Sequence, residues 1–297
     1  MKKAYIILAH KNERQVQRLI DTLDDKNSIF FLHVDLKVSN SGFKKLLYKH
    51  SRVHFVRRVK TEWGGFGLVG ATLNAMSDVR KSGIFDKIIL LSGQDYPIKS
   101  NEEIDKYFQN SKFNIFIDHF PLPNHSKWGP GGGMYRVNKY FFGLSWIKKY
   151  LAKAVNFLAM FLPLINRKLA QEIKPFSGSQ WWAMNMQALN YVLDYVARHP
   201  EYVKFHKHSF AADELFFQMI LLNCEDNSLR DNIANDNLRY MKWETPEIAH
   251  PEILNVHDLN EISESGALFA RKFDTSIDEN VINVIDNQLL NKLGSAL

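Results

Sequence analysis

Ala4-Tyr5-Ile6-Ile7-Leu8-Ala9-His10 is an unbroken apolar run that stops at two polar residues, His10 and Lys11. A strand with one wet face alternates apolar and polar residues. A run that is apolar throughout is the pattern of a strand covered on both faces, as in a buried parallel sheet. Outward from it, residues 12–23 carry Val16, Leu19, Ile20 and Leu23 on one helical face. Residues 29–34 read as a second strand, ending in Asp35-Leu36-Lys37, and residues 53–56 as a short third. Residues 64–80 open at glycines and continue as a helix. Residues 87–91 are a fourth strand, running into Ser92-Gly93-Gln94-Asp95-Tyr96-Pro97. A helix over 101–108 has Ser100 and Glu103 at capping-box spacing, and residues 113–117 return to strand. The alternation predicts an α/β fold: a Rossmann-type, mostly parallel sheet flanked by helices. Ligands of such sheets bind outside the carboxyl ends of the strands, here Ala9-His10, Asp35-Leu36-Lys37 and Ser92 to Asp95.

The composition agrees with a globular chain. Its 297 residues are 45% hydrophobic and 13% aromatic, enough for a sizeable core. We expect a single domain over 1–297, with halves of about 1–120 and 121–275 and a C-terminal helix over 276–297. The net charge of +6 suggests an anionic partner. The excess is spread rather than blocked, which argues against a nucleic-acid stripe. One cysteine, Cys224, allows no internal disulfide and fits a reducing compartment. The first apolar run is too short for a leader or a span, so a cytoplasmic location is expected.

The second half is less regular. Lys127-Trp128-Gly129-Pro130-Gly131-Gly132-Gly133 lacks the spacing of a phosphate-binding fingerprint, leaving a mobile loop near the site or a phosphate cradle. Residues 147–168 place an apolar stretch between Lys148, Lys149 and Lys153 at one end and Arg167 and Lys168 at the other. It reads as a core helix kinked at Pro163 or as a helix lying peripherally in a membrane surface. Phe176 to Gln180 reads as a small-residue turn leading to the paired rings of Trp181 and Trp182. A helix covers 187–198, residues 238–243 alternate like a strand, and a helix covers 255–265. The last twenty or so residues read as a surface helix.

Ala212-Asp213-Glu214 precedes an apolar helical run over 215–222. Asp213 has the chemistry of an N-cap for that run, with Glu214 held in its first turn. A fixed carboxylate beside aromatic platforms could hold a sugar and deprotonate a hydroxyl, or could simply cap a core helix.

Taken together, the motifs Tyr5 to His10, His33 to Lys37, Glu62-Trp63-Gly64-Gly65, Leu90 to Ile98, Gly178 to Trp181, Ala212 to Glu214 and Leu268 to Asp274 resemble the core-2/I-branching β-1,6-N-acetylglucosaminyltransferase family. That is glycosyltransferase family 14, which includes the peptide O-xylosyltransferases. The pieces come in the family's order and span nearly the whole chain. The resemblance implies a GT-A-like fold and inverting, metal-independent transfer from a UDP-sugar, with N-acetylglucosamine favoured. The catalytic base falls on Glu214 and the diphosphate-binding lysine on Lys272. The nucleotide pocket maps to Ala9, His10, Asp35, Trp63, Gly64 and Gly65. On the acceptor side fall Asp95, Trp181 and Trp243. The family's second diphosphate-binding cation has no clear match; Arg271, Arg239 and His250 are the candidates.

No Asp-X-Asp follows the early strands, so Arg271-Lys272 takes the place of a metal in offsetting leaving-group charge. No cofactor is expected beyond the UDP-sugar donor, and the acceptor is a glycan or lipid-linked glycan. Two rival readings stand beside this one. A glycoside hydrolase would use Asp213 or Glu214 together with Asp95. A non-catalytic basic module would bind glycan or membrane without turnover.

Overall fold

The computed structural model describes residues 1–244 and 250–290. Ala249 and the expected end of the C-terminal helix, residues 291–297, lie outside the described residues. The first strand, β1 (Lys3–Ala9), is flanked by β2 (Ser28–Val34) and then β3 (Val53–Phe55) on one side. On its other side comes β4 (Lys87–Ser92), and the short β5 (Tyr96–Pro97) follows in the chain. Beyond these lie β6 (Ile115–Pro121), β7 (Phe176–Met184) and β8 (Ile233–Ala234), with β9 (Arg239–Met241) and β10 (Phe269–Arg271) last. Seven strands form one sheet in the order β3-β2-β1-β4-β7-β6-β8, and β5-β10-β9 form a second, small sheet. In the large sheet β7 alone runs antiparallel to its neighbours β4 and β6. The mostly parallel α/β arrangement expected from the sequence is therefore present.

Both faces of β1 are covered, which is why it is apolar throughout. Ile6 and Leu8 pack in one layer, with the helices Gly67–Ser82, Met186–Arg198 and Phe216–Leu222. Tyr5, Ile7 and Ala9 pack in the other, with the helix Glu13–Leu23. That helix buries Val16, Leu19, Ile20 and Leu23, the face read from spacing. The helix Asn101–Asn110 carries the Ser100–Glu103 capping box.

Four local expectations are corrected. Residues 176–180 are not a turn but the first half of β7. Gly178 there lets β6 approach so closely that a Cβ would lie 1.7 Å from the Asp118 carbonyl oxygen. The C-terminal helix, Asn280–Gln288, is not a surface element: Val281, Ile282 and Ile285 are buried, and Asp286 accepts hydrogen bonds from Tyr96 and Arg18. The helix Trp146–Phe161 is not a core helix, since Ala159 is its one buried residue. Finally, Asp213 caps nothing. Ala212–Glu214 is a 3-10 turn, the following helix begins at Phe216, and no side-chain cap is made there.

Candidate active site

The strand ends are tied together before any functional side chain is considered. Asp35 N–H donates to the Ala9 carbonyl at 2.8 Å, so the ends of β1 and β2 share one ridge. Gln15, fully inside, donates to the carbonyls of Gly93 and Phe273, both at 3.0 Å, and accepts from Thr275 N–H at 2.9 Å. It fastens the residues after β10 onto the ends of β1 and β4. Asp274 completes the clasp, accepting from Lys11 and Asn12 at 2.5 and 2.6 Å and from Ser276. Burial alone would push the Asp274 carboxyl up, but these hydrogen bonds hold it well below the usual carboxylate range.

On this frame the expected donor-side residues converge. His10 stands at the tip of β1, its imidazole lowered first by burial and then by Lys11, with Asp35 and Asp274 opposing. Asp35 is buried; burial would raise its carboxyl, and hydrogen bonds from Thr61 and the Lys37 N–H bring it below its ordinary value. Lys272 is half-buried, and its ammonium makes no ion pair among the described residues. Burial lowers its pKa, and Arg271 and Lys11 lower it further against Asp274.

Trp63 is exposed, and its ring meets Phe210 and His250 edge-on at 5.3 and 5.4 Å. Gly64 has φ +71, and a Cβ there would sit 2.6 Å from the Phe210 ring. Its carbonyl accepts the Ala211 N–H at 2.7 Å. The Trp63-Gly64-Gly65 turn is thus stitched directly to the segment that carries Asp213 and Glu214. His250 links the two ends of the site. Burial, Lys272 and Arg271 lower its imidazole, and Glu214 raises it.

Glu214 is partly exposed, and its carboxylate is hydrogen-bonded to Arg136. Arg136 in turn lies flat on the Trp128 ring, 3.8 Å from its centroid. Burial works against the guanidinium charge, and Glu214 outweighs it, so Arg136 is held above its ordinary value. Trp128 of the glycine-rich loop therefore backs the arginine that binds the carboxylate. Gly133 is required by that stack: a Cβ there would fall 1.8 Å from the Trp128 ring. Asp213 points the other way. Its Oδ1 is buried with no hydrogen-bond partner among the described residues. Burial, then Glu214, push its carboxyl up to about 7.

The acceptor-side expectations fare differently. Asp95 is fully buried, accepts from Ser92 at 2.8 Å, and lies 3.2 Å from Arg271 and 3.6 Å from Arg239. It offers no oxygen to a ligand, and the pairing it would need in a hydrolase is removed. Trp181 is 7% exposed, and the Arg271 guanidinium covers its ring at 4.1 Å, so it is a shelf for a cation rather than an open platform. The Nε and Nη1 donors of Arg271 make no hydrogen bond among the described residues. Arg239, another candidate, is fully buried and gives Nη1 and Nη2 to the carbonyls of Asn237 and Leu90. Trp243 stands exposed beyond the end of β9. Sequence reasoning missed Arg136, Gln15 and the Lys11–Asp274 pair. Arg136 had one signal, a lone arginine between a tryptophan-glycine loop and the apolar stretch that follows.

His10 and Lys272 thus lie at the strand-end side, and His250 is within electrostatic reach of both Lys272 and Glu214. The chain belongs to the Core-2/I-branching enzyme family, whose pattern it matches over residues 3–263. It is 26% identical over 298 aligned residues to beta-glucuronosyltransferase GlcAT14A of Arabidopsis thaliana, covering 98% of this chain and 61% of that protein. It is 23% identical to xylosyltransferase 1 of Rattus norvegicus, covering 96% of this chain and 35% of that protein. The chain thus spans roughly three-fifths and one-third of these relatives. Among solved structures, a 4-diphosphocytidyl-2C-methyl-D-erythritol synthase from Anaerococcus prevotii aligns at TM-score 0.35 and 9% identity, over 67% of this chain and 75% of that one.

Proposed function

We propose that the chain is an inverting glycosyltransferase that moves a sugar from a UDP-sugar to a hydroxyl of a glycan acceptor. The observation that carries this is the place of His250: beside Trp63, and within electrostatic reach of Lys272 and Arg271 on one side and Glu214 on the other. A leaving diphosphate and an attacking hydroxyl need those two ends at one anomeric carbon. Glu214 is the general base. It is the exposed member of the acidic pair, whereas Asp213 is enclosed and protonated below about pH 7. Arg136 holds the carboxylate in place until an acceptor hydroxyl enters beside it. Lys272, with Arg271 adjoining it, offsets the negative charge that grows on the departing UDP. Asp35, His10 and the Trp63 turn wall the nucleotide side, and Trp243 is the exposed ring left for the acceptor. No metal is required by this arrangement. N-acetylglucosamine is the sugar that the family resemblance implies, and the named relatives add glucuronic acid and xylose to the panel worth testing.

The test is calorimetric titration with UDP, followed by UDP release from a panel of UDP-sugars with and without glycan acceptors. Glu214→Gln should keep UDP affinity and lose about 10²–10⁴-fold in turnover. Absence of UDP binding would sink the reading outright. Wild-type turnover in Glu214→Gln would move the base elsewhere.

A further inference from the structure

We propose that the helix Trp146–Phe161 is an interfacial anchor that seats the protein on an anionic lipid bilayer. Its inward face is narrow: Ala159 is buried, and Ala152, Val155 and Asn156 are half-buried. The rest of the apolar side chains point away from the protein. Trp146, Ile147, Tyr150 and Leu151 in the first turns, and Phe157, Leu158 and Phe161 in the last, are each 49% to 70% exposed. They recur at three- and four-residue steps, so they form one stripe along the helix. Among the described residues, ten of the seventeen exposed large apolar side chains lie between Trp146 and Leu164. Single exposed apolar residues are ordinary, whereas a stripe of this kind marks a contact surface.

Length and charge select the occupant. Sixteen residues rise about 24 Å, short of a hydrocarbon core of about 30 Å. No helix among the described residues is long and apolar enough to cross a membrane. The helix therefore lies along a surface rather than through it. Lys149 and Lys153 flank the stripe, Lys168 follows it, and no Asp or Glu occurs between Asp118 and Glu172. A second copy of the chain would set these cations against their own kind. A bilayer with anionic headgroups complements them while the stripe enters the acyl boundary.

The anchor is fastened to the catalytic side of the molecule. Asn156 exchanges hydrogen bonds with the Tyr140 backbone at 2.7 and 3.0 Å. Arg167, just past the helix, donates to the carbonyls of Arg136 and Lys139 at 2.9 and 2.8 Å. A cavity of about 180 Å³, lined by Glu62, Gly65, Phe142, Gly143 and Lys148, separates the helix start from the Trp63 turn. Docking would bring the carboxylate site beside the bilayer, within reach of an acceptor carried on a lipid; that last consequence rests on the glycosyl-transfer reading, whereas the docking does not.

The experiment is sedimentation of the full chain with phosphatidylcholine vesicles, with and without phosphatidylglycerol, at low and high salt. The protein should sediment with the phosphatidylglycerol vesicles at low salt and at least tenfold less, by rough expectation, at high salt. The double substitution Phe157→Glu/Leu158→Glu, on exposed positions, should abolish sedimentation with melting temperature and UDP affinity unchanged. Lys149→Ala/Lys153→Ala should remove the preference for phosphatidylglycerol. No sedimentation at low salt overturns the proposal, as does undiminished binding by the double-glutamate variant. A dimer seen by light scattering, dissolved by that variant and without vesicle binding, assigns the stripe to a second copy instead. UDP affinity is read in solution, so its loss or survival bears on the active site alone.

Discussion

Asp213→Asn isolates a buried carboxyl that keeps its proton in the fold. Asp213 is buried, its Oδ1 meets no hydrogen-bond partner among the described residues, and Glu214 is its neighbour. Its carboxyl rises from 3.8 to about 7, by burial first and by Glu214 second. The folded protein therefore prefers the neutral acid, while the unfolded chain ionises near pH 4. The stabilising preference is complete below the unfolded value, wanes as pH rises, and is lost once pH passes about 7. At ~1.36 kcal/mol per pH unit the interval is worth about 4 kcal/mol, against a total stability of roughly 5–15 kcal/mol. Asparagine stays neutral throughout. Its extra N–H costs about 1–3 kcal/mol if unpaired, but equally at every pH. The difference between variant and wild type should thus move in the variant's favour by up to about 4 kcal/mol between pH 4 and pH 8, or roughly 8 °C in relative melting temperature. Other groups titrate in that range, and they cancel in the difference. Melting curves of both proteins at pH 4, 5, 6, 7 and 8 decide the matter. Parallel pH profiles would refute the reasoning, because Asp213 would then be ionised in the fold or paired with a group that compensates it.

Three further outcomes are expected. Lys272→Ala should weaken UDP binding by roughly 1.5–3 kcal/mol, the range for a hydrogen bond to a charged group; calorimetry that returns the wild-type affinity would place the diphosphate elsewhere. Transfer should persist in excess chelator, and activity that vanished with it and returned with manganese would show that the cations do not suffice. Gly64→Ala should cost about 1–3 kcal/mol, since φ is +71 and the new methyl would press on the Phe210 ring; unfolding in denaturant with an unchanged midpoint would contradict the packing of that turn on Ala211.

What could be read in advance follows from how local each cause is. The apolar run of β1 implies cover on both faces, and Ser100 with Glu103 implies a helix start; both hold. Asp213 misled because two acids before an apolar helical run look like a cap. The chain instead enters a 3-10 turn through Ala211 at φ +49, which turns Asp213 inward and leaves Glu214 outward. Gly178 and its serine neighbours suggested a turn, because the close approach of β6 that demands a glycine is made by residues far away in sequence. The helix over 146–161 was legible as apolar and helical, but an apolar sequence says nothing of whether protein or another surface covers it. Asp95 and Trp181 were read as acceptor-side residues and Arg271 as a diphosphate-side candidate; that Arg271 lies between them was not legible, since it depends on β5, β10 and β9 meeting in one small sheet.

The charges of the site also explain one another. Asp95 neutralises the inner side of Arg271, and Asp274 neutralises Lys11, so Lys272 is left as the cation without an acid of its own. On the opposite wall Arg136 is committed to Glu214, and Asp213 withdraws from the balance by holding its proton. The strand-end side of the site therefore carries an excess of positive charge, and the carboxylate side a nearly balanced pair. Under the proposed transfer reaction, the first is the side for the diphosphate and the second the side for the sugar hydroxyl. Exchanging those preferences would require either a second acid beside Lys272 or an ionised Asp213, and the burial of Asp213 works against the latter below about pH 7.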